Sequence, residues 1–182
     1  SVNYNGWNYG FGIDTLNSLT FGLANIAIGK NALNAVTSHS NNVSIGHESQ
    51  RSTTGNNNVS IGYQSMYYNT TGQNNTAIGR SSLFNNTTGQ QNVAIGQDSG
   101  KNAYNGSSNA STIPTQSVFI GATTKSGAVN ATNEIVIGYN TIGNGNNTVT
   151  IGNTSINYTY LKGDVIALGG FTGDLTGNVT GN

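Results

Sequence analysis

The chain has 182 residues, of which 34% are apolar and 7% charged, with six basic and six acidic side chains and no cysteine. Typical globular domains hold roughly 45–50% apolar and 25% charged residues, so one thick globular core is excluded. So are disulfides and thiolate metal sites. The balanced charge also argues against disorder driven by self-repulsion, and the scattered Lys30, Arg51, Arg80, Lys101, Lys125 and Lys162 form no stripe to track phosphates.

Residues 1–21 carry Tyr4, Trp7, Tyr9 and Phe11 ahead of any clear repeat. This segment is read as an N-terminal cap or junction. The chain starts at Ser1 without a recognisable leader, its only methionine is Met66, and it reads as a processed product or, in preference, a piece of a longer protein. No apolar run approaches the ~20 residues of a membrane helix.

From residue 22 to 157 a degenerate repeat takes over. Its mark is an isoleucine followed by glycine, eight times: Ile28-Gly29, Ile45-Gly46, Ile61-Gly62, Ile78-Gly79, Ile95-Gly96, Ile120-Gly121, Ile137-Gly138 and Ile151-Gly152. The spacings are 17, 16, 17, 17, 25, 17 and 14 residues. A short fixed period predicts a solenoid, one coil per repeat, stabilised by stacking. Two places before each isoleucine stands a β-branched residue, from Ile26 and Val43 to Ile135 and Val149. These two columns share one face of a predicted strand and are expected to point inward, with the small residues between them (Ala27, Ser44, Ser60, Ala77, Ala94) facing away. Four places after the isoleucine a second small column (Ala32, Ser49, Ser65, Ser82, Ser99, Thr124, Thr141, Ser155) predicts a second short strand. The glycine either turns the chain or lets another backbone approach.

Asparagine re-enters the strand at Asn25, Asn42, Asn58, Asn75 and Asn92. Two readings stand: a ladder of stacked amides, or tolerance of left-handed turn geometry. One Ile and one Val per coil, worth roughly 1.5–3 kcal/mol each, do not offset ordering a whole coil at about 1–2 kcal/mol per residue. That arithmetic favours burial against another copy of the chain. The surplus of the 25-residue step falls within 100–116, with the only proline, Pro114. It is expected to form a surface loop.

The units Asn42-Val-Ser-Ile-Gly46, Asn58-Val-Ser-Ile-Gly62, Asn75-Thr-Ala-Ile-Gly79 and Asn92-Val-Ala-Ile-Gly96 resemble the head repeats of trimeric autotransporter adhesins. With Asn-Thr-Thr-Gly between units (69–72 and 86–89), they are still more similar to shaft repeats of phage tail fibres. The resemblance implies an all-β fold, a left-handed parallel β-roll with three chains intertwined about one axis. It also implies a virion location (alternatively a bacterial cell surface), a host glycan or protein receptor, and a C-terminal chaperone domain missing from this chain. The repeat is longer than the usual adhesin head repeat, so each coil must carry a wider loop. Residues 158–182 end in Phe171-Thr-Gly-Asp174, Leu175-Thr-Gly-Asn178 and Val179-Thr-Gly-Asn182. They are similar to the linker before that domain, and read as a Gly/Thr-rich linker or trimeric neck.

No catalytic constellation, cofactor motif or metal loop is present in the sequence, and no enzyme activity is expected. Both histidines, His39 and His47, are expected at the surface. Aromatic side chains Tyr63, Tyr67, Tyr68, Phe84 and Tyr104 fall after the Ile-Gly step or in loops. Packing between coils is the plainer role for them. Stacking on sugar rings is the functional one, with Tyr67, Tyr68, Phe84 and Tyr104 the candidate receptor contacts. The leading expectation is a structural and adhesive fibre segment, followed by an adhesin head, and then an ice-binding solenoid, for which only Thr148-x-Thr150 speaks.

Overall fold

A computed structural model describes residues 7–103 and 114–162. The chain is a parallel β-solenoid. Among the described residues nine three-residue strands follow in order: β1 Tyr9–Phe11, β2 Ile26–Ile28, β3 Val43–Ile45, β4 Val59–Ile61, β5 Thr76–Ile78, β6 Val93–Ile95, β7 Val118–Ile120, β8 Ile135–Ile137 and β9 Val149–Ile151. They form one sheet in sequence order, every neighbour parallel. The register matches like with like: Ile28 pairs with Ile45, Ile61 with Ile78, and Ile95 with Ile120. The long step therefore leaves the ladder undisturbed. Most of its surplus lies at 104–113, outside the described residues. Among the described residues no helix occurs, and none is long and apolar enough to cross a membrane.

The stack begins upstream of residue 22. Strand β1, in the segment read as a cap, pairs Phe11 with Ile28. Phe11-Gly12 stands where later coils have Ile-Gly, a substitution that hides this coil from a search for isoleucine.

Which face points inward is the reverse of the expectation. The middle residue of each strand from β2 to β8 (Ala27, Ser44, Ser60, Ala77, Ala94, Phe119, Val136) is fully buried. The flanking Val and Ile columns lie outside, with Ile28, Ile78, Ile95 and Ile120 at 36–41% exposure. The cause is the width of the coil. The buried strand centre meets the buried column Ala32, Ser49, Ser65, Ser82, Ser99, Thr124 across a narrow interior. In that space hydroxyls touch: Ser49 Oγ lies 2.7 Å from Ser60 Oγ, and Ser65 Oγ lies 2.9 Å from Ser82 Oγ. A rank of isoleucines would not fit there. Larger side chains enter at the next position along, where Leu16, Leu33, Met66 and Leu83 form a second buried column.

The second short strand is likewise replaced by a turn. The residues on either side of the buried small one have positive φ in coil after coil: Asn31 (58°) and Leu33 (48°), Glu48 (56°) and Gln50 (47°), Ser81 (53°) and Leu83 (47°). Alternating left-handed residues cannot form a pleated strand. Coil-to-coil hydrogen bonds nevertheless persist, as from Glu48 N to Lys30 O (2.9 Å) and from Gln50 N to Ser65 O (2.9 Å).

Gln50 breaks the apolar column. It is fully buried, and neither Nε2 nor Oε1 has a hydrogen-bond partner. An unpaired buried amide costs about 1–3 kcal/mol. Gln50→Leu, matching Leu33 and Leu83, is therefore expected to raise stability by about that amount. The urea midpoint checks it; a midpoint that falls would mean that the amide is satisfied in solution.

The asparagine ladder is present and longer than expected. Asn8 Oδ1 accepts from Asn25 N (2.9 Å), and Asn25, Asn42, Asn58 and Asn75 each accept from the next asparagine N (3.0 Å). Asn92 Oδ1 accepts from Ser117 N (3.0 Å). Each Nδ2 from Asn8 to Asn92 crosses the coil to a turn carbonyl, such as Gly55 O from Asn42 (3.0 Å) or Pro114 O from Asn92 (2.7 Å). The left-handed role falls to the residue just before, at Asn41, Asn57 and Asn74. For the ladder asparagines themselves the amide-ladder reading holds and the left-handed one does not. The ladder position is finally taken by Glu134, a buried carboxylate that accepts from Ser126 Oγ (2.7 Å), Gly127 N (3.1 Å) and Gly145 N (2.8 Å).

Candidate functional site

Two surfaces stand out. The first is the outer face of the sheet. Strands repeat at ~4.8 Å, so the paired columns run for about 40 Å as an unbroken stripe of β-branched side chains. Only Thr76 interrupts the Val/Ile chemistry from β2 to β9. At the N-terminal end Tyr9 and Phe11 take the same two columns, and with Gly10, Ile26 and Ile28 they line a shallow apolar pocket. A contiguous apolar strip of this length exceeds what monomeric surfaces usually carry, and it has the character of an interaction site.

The second surface is built by the turns of consecutive coils. The coil period places Arg51, Tyr67, Phe84 and Lys101 in one column. The rings of Tyr67 and Phe84 stack, with centroids 5.3 Å apart and planes at 16°. The Arg51 guanidinium covers Tyr67 from one side (5.6 Å), and the Lys101 ammonium covers Phe84 from the other (5.2 Å). Arg51 also donates a hydrogen bond to the Tyr67 hydroxyl, and that bond is the first cause holding the guanidinium pKa above its ordinary value. Tyr68 stands across both rings, at 4.7 and 5.1 Å and nearly perpendicular. Three of the four expected receptor contacts are thus brought together; Tyr104 lies outside the described residues. The two cations that cap the stack were not singled out in the sequence, although their spacings of 16 and 17 residues carried the signal.

Charge in this cluster is balanced. Glu48 pairs with Arg51 (3.7 Å) and accepts from Gln64 Nε2 (2.8 Å), while Asp98 pairs with Lys101 (3.0 Å). Exposed pairs of this kind contribute at most about 1 kcal/mol. His47 is exposed, with its ring 5.5 Å from that of Tyr63. His39 departs from expectation: it is half-buried, with Nδ1 unpartnered. It occupies the tight turn position held by Gly22, Gly55, Gly72 and Gly89 in other coils, and its carbonyl accepts from Asn25 Nδ2 (2.8 Å). Among the described residues no group of three or more His, Cys, Asp or Glu could hold a metal ion. Thr148 spends its hydroxyl on Gly145 O (2.7 Å), and the Thr150 hydroxyl accepts from Asn144 Nδ2 (2.8 Å).

No protein-family model, curated protein or solved structure matches the chain.

Proposed function

We propose that the chain is a structural and adhesive segment of a phage or phage-like tail fibre, in which three copies pack their Val/Ile stripes against one another. The observation that carries this reading is the outward, in-register stripe of β2 to β9. Burying a half-exposed aliphatic side chain contributes on the order of 1 kcal/mol, and fifteen such positions from β2 to β9 repeat along the rod. The interior holds its own buried apolar column, Leu16, Leu33, Met66 and Leu83, and burial of the outer face adds to the energy that orders the coils. A self-matching stripe also suits rotational symmetry, because each copy presents the same columns at the same height. The assembly contributes no chemistry. It holds a receptor-binding end away from the particle and offers its turn loops to a host surface. The head of a bacterial trimeric adhesin would use the same stripe, and a membrane-anchor domain elsewhere in its gene would distinguish it.

Light scattering after size exclusion tests the assembly. The expected mass is about three times the chain mass of 18.8 kDa, with a β-type circular dichroism spectrum. The double variant Ile78→Asp/Ile95→Asp places carboxylates in the centre of the stripe, where desolvation costs several kcal/mol per ion. It is expected to dissociate into single chains. A wild-type chain that is monomeric and fully folded would sink the fibre reading.

A further inference from the structure

We infer that the exposed face of Tyr68 is a stacking platform for a neutral pyranose ring, with amide groups of Asn85 and Asn102 as its polar rim. The inference deepens the receptor-binding part of the function proposed above. It begins from which ring faces are free. Tyr67 and Phe84 cover one face of each other, and the Arg51 and Lys101 cations stand against the two rings. Tyr68 differs. At centroid distances of 4.7 and 5.1 Å and interplanar angles of 81° and 85°, it meets its neighbours face to edge. Since Tyr67 and Phe84 stack on each other, Tyr68 stands beside the stack and not within it. At 48% exposure Tyr68 is the most open of the three rings.

The platform is braced from behind by a stack that is itself capped at both ends, so its orientation needs no ordering when a ligand arrives. Its surroundings select the ligand class. Both nearby cations are already matched by Glu48 and Asp98, which leaves no unpaired positive charge to draw a phosphate or a uronate. Along the solenoid axis the column of Tyr68 continues as Asn85 and Asn102. Their amides are joined by one hydrogen bond from Asn85 Nδ2 to Asn102 Oδ1 (2.6 Å). The other two amide atoms, Asn85 Oδ1 and Asn102 Nδ2, present an acceptor and a donor. A flat aromatic face beside a donor and an acceptor, without net charge, matches a sugar ring with an apolar face and hydroxyls at its rim.

The test is a titration followed by NMR of the tyrosine ring signals, using methyl β-D-glucopyranoside, methyl β-D-galactopyranoside, methyl α-D-mannopyranoside and methyl β-D-glucuronide. Saturable binding of at least one neutral glycoside is expected, with Kd on the order of millimolar. Tyr68→Ala and Tyr68→Leu should each weaken it about tenfold or more, and Tyr68→Phe should stay within about threefold. Tyr139→Ala, which removes an exposed ring elsewhere, should change nothing. The leucine variant keeps an apolar side chain against the stack, so lost binding there is not lost folding. No saturable binding by any neutral glycoside, preference for the glucuronide, or equal binding by the Tyr68→Ala variant would overturn the inference. Solution mass is read on the same samples. A trimer that binds no sugar overturns the platform alone, and a sugar-binding monomer overturns the fibre assembly alone.

Discussion

Gly62→Ala is expected to lower the unfolding free energy by about 3 kcal/mol or more. Two costs add at this position. The residue has φ of +137°, which an L-amino acid with a β-carbon adopts only with strain. A Cβ there would also stand 2.5 Å from Gly79 O and 2.6 Å from Gly79 C in the next coil. The obstacle is backbone, held by the sheet ladder on both sides, so relief requires the coils to part. Gly145→Ala separates the two costs. Its φ is +92°, but the nearest atom to a new Cβ is Ala128 Cβ at 3.9 Å. It should lose only the backbone term, about 1–2 kcal/mol. Urea midpoints by circular dichroism at equal protein concentration compare them. Equal losses would show that close approach between coils is not what demands glycine after isoleucine.

Asn42→Leu is expected to cost about 2–6 kcal/mol. Leucine keeps the branched shape but is larger, so an overpacking cost is included in the loss, and comparison with a second ladder position isolates the hydrogen bonds. Asn42 Oδ1 accepts from Asn58 N (3.0 Å), and its Nδ2 donates to Gly55 O (3.0 Å). Both backbone groups lose these bonds to a side chain that replaces neither, and an unsatisfied buried group costs about 1–3 kcal/mol. Asn58→Leu makes a sharper comparison. It orphans Asn75 N, but Gly72 O keeps a second donor, Asn69 Nδ2 at 2.9 Å. Its cost should be roughly half that of Asn42→Leu. Thermal or urea unfolding of the pair checks the order. If Asn58→Leu is the more damaging, the ladder acts through packing rather than through satisfied backbone.

The candidate surfaces were unequally legible. Tyr67 and Phe84 are 17 residues apart, one coil, so their meeting follows from the period. Arg51 and Lys101 lie one coil further out on each side, and the same counting would have placed them over the rings. The perpendicular stance of Tyr68 could not be counted. It depends on two adjacent tyrosines leaving one turn in different directions, and the backbone of that turn alternates between left- and right-handed residues. The reach of the stack at its N-terminal end was hidden for a plainer reason. Phe11-Gly12 performs the role of Ile-Gly, and β1 is recognised by its neighbours in the sheet rather than by its letters.

What the amino-acid order determined by itself was the period and the alignment of its columns. The Ile-Gly period dictated parallel strands in like-with-like register, because stacking identical coils aligns identical columns. The recurring asparagines marked a column, and the structure chose the ladder for it, because an amide can both accept from the next coil and donate across its own. What only the tertiary structure decided was which side of each strand is the inside. A period of two distinguishes two faces and does not say which is core. The hydrophobic choice, Val and Ile inward, is correct for a thick core and wrong here. From β2 to β6 the coil closes so tightly that Ala and Ser take the strand centre, the larger Leu33, Met66 and Leu83 enter one position further along, and the isoleucines Ile28, Ile78, Ile95 and Ile120 are left on the outer face.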